Sequence, residues 1–272
     1  MASTTIKTWL ADATDKLSEA DISSARLDAH LLLQDVLGKD AMWLRAHDDS
    51  KITPRHLEEL NDYIERRQNR EPLAYIRGFV EFYGRKYIVS PETLIPRPET
   101  ETLVQKAVEL PLQPSSRAID VGTGSGCIGI SIKLARPDIL MLQSDISERA
   151  LEIAERNASR LGAHSTFILS DLLTGYTGDK FDLIVANLPY VDAAWETSPE
   201  VDAEPSLAIY AQDGGLQLIK ELLDQAPAHL QRGGYVLLEA DPRQFDAIWS
   251  YAQKGGYAVL GTDGYTISLQ RS

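Results

Sequence analysis

The sequence predicts an α/β protein in which a doubly wound, mostly parallel sheet follows a small helical bundle. From about residue 116 onward, apolar stretches of strand length alternate with helical patterns, whereas residues 1–75 contain helical patterns only. The closing stretch YAVLGTDGYTISLQ holds two β-rich runs around a Gly-containing turn. We therefore expect a C-terminal antiparallel hairpin in the sheet, a common edge feature of large mixed sheets.

The front of the chain predicts a bundle of four helices. In the first helix, Ile6, Leu10, Ala13 and Leu17 fall on one face. The later helices carry cap residues at their starts and a glycine or basic residues at their ends. We place this small helical domain over residues 1–75.

Two further segments follow the bundle. Residues 76–97 contain FVEFYGRKYIV, two β-rich runs around Gly84, and predict a β-hairpin linker. A proline-rich loop then leads into a helix near 98–109. The alternating strands and helices come after it, so we place the sheet domain over residues 98–272.

Composition narrows the class of function. The formal net charge is −13, whereas a protein that grips a long nucleic acid normally shows a basic face. We therefore expect no stable nucleic-acid binding and favour a small ligand or a basic protein partner. One cysteine and scattered histidines predict neither a disulfide nor a metal site. No signal-peptide pattern or membrane-length apolar run occurs, so we expect a cytoplasmic monomer.

A glycine-rich loop follows the first strand of the predicted sheet. In AIDVGTGSGCIGISI, Asp120 precedes Gly122, Gly124 and Gly126, and an apolar helix comes next. The glycines permit a tight turn and a close approach of a ligand to the backbone. Their spacing differs from the G-x-G-x-x-G motif of dinucleotide sites, and Asp120 would repel a pyrophosphate while attracting an ammonium group. The loop fits S-adenosylmethionine better than NAD.

Acidic residues mark the ends of the next two strands. Asp145 stands 19 residues after Gly126, where a carboxylate can accept hydrogen bonds from both ribose hydroxyls. Asp171 and Leu172 end the third strand and are placed to meet the adenine ring. The candidate cofactor-binding residues are Asp120, Gly122, Thr123, Gly124, Ser125, Gly126, Asp145, Asp171, Leu172 and Asn187.

The fourth strand ends in VANLPY, which supplies the candidate catalytic residues Asn187, Pro189 and Tyr190. The Asn187 side-chain oxygen and the Leu188 carbonyl can each accept one N–H of a planar amino group. Pro189 stiffens the loop, and Tyr190 offers a ring face for stacking. The target nitrogen would be an amide or a ring amino group, methylated chiefly through proximity and orientation, with no strong general base.

These motifs, together with SPETLIPRPETE at residues 90–101, resemble the HemK/PrmC family, the glutamine methyltransferases of peptide chain release factors. The resemblance covers nearly the whole chain. It implies a class I methyltransferase sheet that binds S-adenosylmethionine through Gly122 to Gly126, Asp145 and Leu172. It also implies that residues 187–190 hold the glutamine of the Gly-Gly-Gln motif of a release factor. The helical domain would then dock this partner.

Arg97 lies in IPRPETE, the most specific part of the resemblance. Its side chain could contact cofactor or substrate, or it could pair with Glu99 or Glu101. We name Arg97, with the four residues of the NLPY stretch, as candidate substrate-binding residues. Glu204 could shape the substrate loop or simply form a turn.

Two departures from the family pattern stand out. Leu188 occupies the position of a second proline, so the loop should be less rigid while its carbonyl survives as an acceptor. Asp241 occupies a position where glycine is typical, although the nearby Gln244 is kept. The local turn after the strand is therefore open to question.

Other functions fit parts of this pattern. The Asn-x-Pro-Tyr signal is shared with adenine methyltransferases, and a related family methylates a ribosomal-protein glutamine. Acidity and IPRPETE argue against a nucleic-acid substrate. A non-enzymatic adaptor that binds S-adenosylmethionine is the third alternative, and the intact stretch from Asn187 to Tyr190 argues against it.

Overall fold

The computed structural model describes residues 4–272, and the chain divides into two compact units. The first unit extends to Gly78 and includes Pro199–Ala203. The second unit comprises Phe79–Ser198 and Glu204–Ser272. A short turn from late in the sequence is thus grouped with the N-terminal helices.

The first unit is a bundle whose helices begin and end at ordinary cap residues. The side chain of Thr5 accepts a hydrogen bond from the Thr8 backbone N–H at the start of the first helix. Gly38 ends the second helix in the left-handed conformation, with φ of 61°. The helices are α1 (Ile6–Glu19), α2 (Ala25–Leu37), α3 (Ala41–Ala46), α4 (Pro54–Gln68) and the short α5 (Leu73–Arg77).

The predicted face of α1 packs into the bundle, and Trp9 is buried with it. Ile6, Ala13 and Leu17 are buried as predicted, but Trp9 is the fourth buried residue. Leu10 is only partly buried and packs at the margin of the bundle core. Trp9 stands three residues after Ile6, so both side chains lie on one side of the helix.

A buried ion pair links α2 and α4 within this unit. Arg67 Nε lies 2.8 Å from Asp28 Oδ2, and both side chains are almost fully buried. Glu200 Oε1 lies 3.2 Å from Arg67 and 3.3 Å from Arg70. These contacts explain why Pro199–Ala203 groups with the helices.

The predicted hairpin is present and packs within the second unit. β1 (Phe79–Phe82) pairs antiparallel with β2 (Arg85–Ile88) around the turn at Gly84. The Asn157 side chain accepts a hydrogen bond from the Ile88 N–H at 2.7 Å and donates to its carbonyl at 2.9 Å. An Asn side chain thus pairs with the strand backbone as a neighbouring strand would.

The second unit continues with strands and helices in alternation, as predicted. A 3₁₀ turn, Pro98–Thr100, leads into the first of its helices. The elements are α6 (Glu101–Glu109), β3 (Arg117–Val121), α7 (Cys127–Ala135), β4 (Leu140–Asp145), α8 (Glu148–Leu161), β5 (Thr166–Leu169), β6 (Phe181–Ala186), α9 (Gln217–His229), β7 (Leu230–Glu239), α10 (Phe245–Lys254), β8 (Tyr257–Asp263) and β9 (Thr266–Arg271).

The strands form one seven-stranded sheet in the order β5-β4-β3-β6-β7-β9-β8. Strands β3 to β7 pair in parallel, and β9 is antiparallel to both of its neighbours. The predicted antiparallel strand therefore lies one position in from the edge. The strand order reverses between β3 and β6, which makes this the switch point of the sheet.

Helices cover both faces of the sheet. Along β6, Ile184 packs into a core with α9 and α10, whereas the next residue, Val185, packs into a core with α6 and α7. Because β6 is buried on both faces, its sequence contains the continuous apolar run LIVA. The predicted fold class is confirmed. Among the described residues, no helix combines the length and apolar character needed to cross a bilayer.

Candidate active site

The candidate site lies at the switch point of the sheet. Val121 pairs with Ala186 at the carboxyl ends of β3 and β6. The following residues, Gly122 and Asn187, therefore begin two adjacent loops at the same edge of the sheet. Doubly wound folds bind their ligands in this position.

The glycine loop adopts the tight turn that its sequence predicts. Gly122, Gly124 and Gly126 have φ of 70°, 54° and 81°, all in the left-handed region that favours glycine. A Cβ on Gly126 would stand 2.7 Å from Ile130 Cδ1. No described atom lies within 4 Å of the Cβ position of Gly124, so the loop is open on that side.

Asp120 lies behind the glycine loop and is fully buried. Its Oδ2 accepts hydrogen bonds from Thr123 Oγ1 at 2.6 Å and from the Gly129 N–H at 2.9 Å. Burial raises the pKa of Asp120 to about 6, against the lowering effect of these two donors. The carboxyl braces the loop against the start of α7, while its contact with a cofactor stays a prediction.

The other side chains of the loop also point into the protein. Thr123 and Ser125 are buried, and the Ser125 carbonyl accepts a hydrogen bond from Asn157 Nδ2 at 2.9 Å. Asn157 is the same residue that pairs with β2. The predicted cofactor contacts of Thr123 and Ser125 would therefore fall to their backbone groups.

Asp145 ends β4 beside the glycine loop. Its Oδ2 accepts a hydrogen bond from the Gly124 N–H at 2.8 Å, and its Oδ1 accepts one from the Ser147 N–H at 2.9 Å. Burial raises the pKa of Asp145, and these backbone donors oppose the rise. Each carboxylate oxygen has a second lone pair, so acceptors remain for ribose hydroxyls.

Asp171 and Leu172 lie on a turn rather than on a strand end. β5 stops at Leu169, two residues earlier than the sequence pattern suggests. Asp171 is exposed, whereas Leu172 is buried and has φ of 50°. A non-glycine residue in this region is uncommon and often marks a functional turn.

Asn187 is held through its side-chain nitrogen. Nδ2 donates to Glu239 Oε1 at 3.1 Å and to Thr100 Oγ1 at 3.3 Å. Because both partners accept, the opposite end of the amide, Oδ1, faces away from them. Oδ1 is therefore not engaged by these two partners, and its contact with a substrate stays a prediction.

The rest of the NLPY stretch is firmly packed. Leu188 is buried, and Tyr190 donates its hydroxyl to Glu239 Oε1 at 3.2 Å. Burial raises the pKa of Tyr190, and the charge and hydrogen bond of Glu239 raise it further. The Tyr190 hydroxyl is thus neutral and able to donate at any ordinary pH. Pro189, which lies between Leu188 and Tyr190, is half-buried.

Arg97 pairs with neither Glu99 nor Glu101. Its Nη2 forms a short ion pair with Glu204 Oε1, and the Ile95 N–H donates to Glu204 Oε2 at 3.0 Å. The Glu204 side chain is 2% exposed, whereas that of Arg97 is 38% exposed. Glu204 thus fastens the loop before α6, and a substrate contact by Arg97 stays a prediction.

The turn at Asp241 has a backbone conformation that does not require glycine. Asp241 has φ of −67°, which any residue can adopt, and it caps the 3₁₀ turn Pro242–Gln244. Gln244 Nε2 donates to the carbonyls of Tyr190 and Gly214, both at 2.8 Å. The kept glutamine therefore anchors the backbone that follows the NLPY stretch.

Comparison with known proteins decides the family. The PrmC N-terminal domain matches residues 8–78, and the methyltransferase small domain matches residues 99–204. The release factor glutamine methyltransferase of Koribacter versatilis is 41% identical over 248 residues, which cover 88% of this chain and 89% of the relative. This chain belongs to the release factor glutamine methyltransferase family. The Escherichia coli family member is 36% identical over 261 residues, covering 93% and 92% of the two chains.

Solved structures extend the comparison beyond the release factor glutamine methyltransferase family. A methyltransferase from Pyrococcus furiosus superposes with a TM-score of 0.52 at 20% identity, covering 69% of this chain and 88% of the other. A ribosomal protein L11 methylase from Lactobacillus delbrueckii gives 0.51 at 23% identity, covering 68% and 84%. At such identities the likeness concerns the fold alone, and it confirms the methyltransferase sheet.

Two residues of the site were not predicted from the sequence. Glu239 ends β7 beside Asn187, and Thr100 lies within IPRPETE, the motif that marks the release factor glutamine methyltransferase family in this sequence. Glu239 could have been predicted, because it directly follows the apolar run VLL at a strand end, just as Asp145 ends β4. For Thr100, proximity to Asn187 arises only in three dimensions.

Proposed function

We propose that this chain transfers a methyl group from S-adenosylmethionine to the side-chain amide nitrogen of the glutamine in the Gly-Gly-Gln motif of a peptide chain release factor. Curated relatives with this activity in their name align over 88% and 93% of the chain. The single observation that carries the chemistry is Asn187, whose side-chain nitrogen is engaged by Glu239 and Thr100, so that its oxygen is free to accept.

The cofactor would lie against the glycine loop. Open space beside Gly124 and the spare lone pairs of Asp145 fit the methionine and ribose parts of S-adenosylmethionine. Gly122, Gly126 and the backbone at Thr123 and Ser125 would complete the loop contact. Asp171, Leu172 and Asn187 would border the adenine and the sulfonium end. When bound, S-adenosylmethionine supplies an electrophilic methyl group.

The chain itself would position the amide. Asn187 Oδ1 and the Leu188 carbonyl accept the two N–H groups of the substrate glutamine and direct its nitrogen at the methyl. The same oxygens stabilise positive charge that develops on the nitrogen. Tyr190 stacks on the planar amide, with its hydroxyl fixed by Glu239. Holding two reactants in line can supply much of the rate enhancement.

The helical unit would dock the release factor. It forms its own compact core, and Leu27 and Met42 are large apolar side chains that lie exposed on α2 and α3. If this surface binds the partner, Met42→Asp raises KM for the whole release factor. The same variant should leave the rate on a short Gly-Gly-Gln peptide unchanged.

The direct test is mass spectrometry after incubation with isotopically labelled S-adenosylmethionine. A purified release factor and a total tRNA and DNA digest serve as separate substrates. We expect one labelled methyl on the glutamine of the Gly-Gly-Gln peptide. Label in adenine with an unmodified glutamine would overturn the proposal in favour of a nucleic-acid enzyme.

The Asn187→Ala variant distinguishes an enzyme from an adaptor that only binds S-adenosylmethionine. We expect it still to bind the cofactor and the release factor while losing turnover by about a hundredfold or more, as happens when a transition-state contact is removed. Retained turnover would contradict the role of Asn187. A wild-type protein that binds the cofactor but transfers no methyl would favour the adaptor.

A further inference from the structure

The carboxylate of Glu239 accepts hydrogen bonds from two side chains of the NLPY stretch. It accepts from Asn187 Nδ2 at 3.1 Å and from the Tyr190 hydroxyl at 3.2 Å, both on Oε1. Burial raises the pKa of Glu239, and the nearby Thr100 hydroxyl opposes that rise. Glu239 itself is 2% exposed. Two members of the NLPY stretch therefore share one buried acceptor.

The arrangement dictates which end of the Asn187 amide faces the cleft. Asn187 Nδ2 donates to Glu239 Oε1 at 3.1 Å and to Thr100 Oγ1 at 3.3 Å. A carboxylate can only accept hydrogen bonds, so the NH₂ end of the Asn187 amide must face Glu239. The reversed amide would set its oxygen against a carboxylate, which is repulsive at this distance.

We propose that Glu239 is a positioning residue that fixes the orientation of the Asn187 amide and of the Tyr190 ring. This inference rests on the proposed function for its catalytic consequence, since the free Oδ1 of Asn187 serves the substrate amide. It assigns Glu239 no contact with the substrate. It also explains why a buried carboxylate without a cationic partner among the described residues is tolerated at the end of β7.

The surroundings of Glu239 define the effect of each substitution. Glu239 Oε2 has no hydrogen-bond partner among the described residues. In Glu239→Gln, the amide nitrogen can occupy the Oε2 position while the amide oxygen keeps Asn187 and Tyr190 as donors. In Glu239→Leu, Asn187 and Tyr190 lose their shared acceptor. We expect Glu239→Gln to retain kcat within about tenfold, and Glu239→Leu to fall at least about tenfold below it.

An isosteric swap provides the sharpest test. Asn187→Asp places a second carboxylate against Glu239, and we expect kcat to fall by about a hundredfold or more. In Asn187→Asp with Glu239→Gln, the hydrogen bond reverses, because the glutamine NH₂ donates to the aspartate. This leaves one carboxylate oxygen facing the cleft. We expect the double variant to be at least about tenfold more active than Asn187→Asp alone.

Thr266→Val is the matched control. Thr266 pairs with Glu239 across β7 and β9, it is fully buried, and its hydroxyl has no hydrogen-bond partner among the described residues. Its replacement changes the packing beside Glu239 without touching Asn187. We expect unchanged kcat. Thermal unfolding and cofactor binding, measured for every variant, separate loss of fold from loss of orientation.

A spectroscopic readout makes the test independent of the substrate. The chain has four asparagines, so selective ¹⁵N labelling gives four side-chain NH₂ pairs, and Asn187→Asp identifies one of them. We expect that pair to shift in Glu239→Leu and not in Thr266→Val. If it shifts while no release factor is methylated, Glu239 positions Asn187 and the proposed function fails. An unmoved Asn187 signal, or a swap no better than Asn187→Asp alone, would overturn the positioning role.

Discussion

Leu188 covers Gly122. Its Cδ2 lies 3.1 Å from the point at which a Cβ would project from the glycine. The loop after β6 and the loop after β3 are thus in close contact at the switch point, on the side where a cofactor would lie.

This contact predicts a coupled effect of two substitutions. Gly122→Ala should lower the free energy of unfolding by about 1–2 kcal/mol from its positive φ, with an added cost from Leu188. In a Leu188→Ala background, the cost of Gly122→Ala should be about 1 kcal/mol smaller. Urea unfolding of the four proteins measures this.

Gly124→Ala is the control for that cycle. Its φ is also positive, but no described atom lies near its Cβ position. Its cost should be the same with or without Leu188. Additive effects of Gly122→Ala and Leu188→Ala would show that the two loops do not press on each other.

Leu188→Pro should change turnover little. The proline restores rigidity, yet it removes a buried side chain that packs over the glycine loop. We expect kcat to rise by less than about tenfold, or ~1.4 kcal/mol of barrier. Steady-state methylation of a release factor checks this, and a larger rise would mean that loop rigidity limits the present enzyme.

Arg97 and Glu204 should behave as one structural unit. Glu204→Ala leaves the Ile95 N–H and Arg97 without their acceptor, and we expect it to cost about 2–4 kcal/mol of unfolding free energy. Arg97→Ala should cost less, about 1–3 kcal/mol, because the partly exposed position of Arg97 lets water hydrogen-bond to Glu204 in its place. Denaturant unfolding gives both values. A rise in KM confined to Arg97→Ala would assign this arginine to substrate binding.

Asp120 should make stability depend on pH in a mildly acidic range. Burial raises its pKa from 3.8 to about 6. Between these values the folded state holds a proton that the unfolded state has lost, so the free energy of unfolding falls as pH rises from about 4 to about 6. The fall should approach about 3 kcal/mol.

Asp120→Asn removes this dependence. Asp145 and Glu239 also have raised pKa values, and they act in the same direction in both proteins. The difference between wild type and Asp120→Asn, measured by denaturant unfolding at several pH values, therefore isolates Asp120. Parallel stability curves would contradict a raised pKa.

The order of elements was predictable because each carries a local signal. Glycines with positive φ, cap residues such as Thr5 and apolar runs such as that in β6 act through the backbone within a few residues. The confirmed fold follows from these signals. The end of β5 was misjudged by two residues, since tertiary packing settles such boundaries.

The site was predictable only where it follows strand ends. Asn187 and Asp145 each come directly after a buried run, and the parallel sheet brings those ends together. The pairings of Arg97 with Glu204, and of Asn187 with Thr100, join residues about a hundred positions apart. No local pattern encodes which of several nearby carboxylates an arginine will choose.

The placement of β9 has a consequence for how the protein is made. Among the described strands, β8 pairs with β9 alone, and the ribosome synthesises β9 after β8. Until Thr266–Arg271 has emerged, β8 has no partner strand, and β7 presents an open edge. A chain cut or stopped before Thr266 therefore loses two strands from the sheet. Such a chain also lacks Thr266, the neighbour of Glu239 in the sheet. The residue that positions Asn187 is therefore among the last to reach its final surroundings.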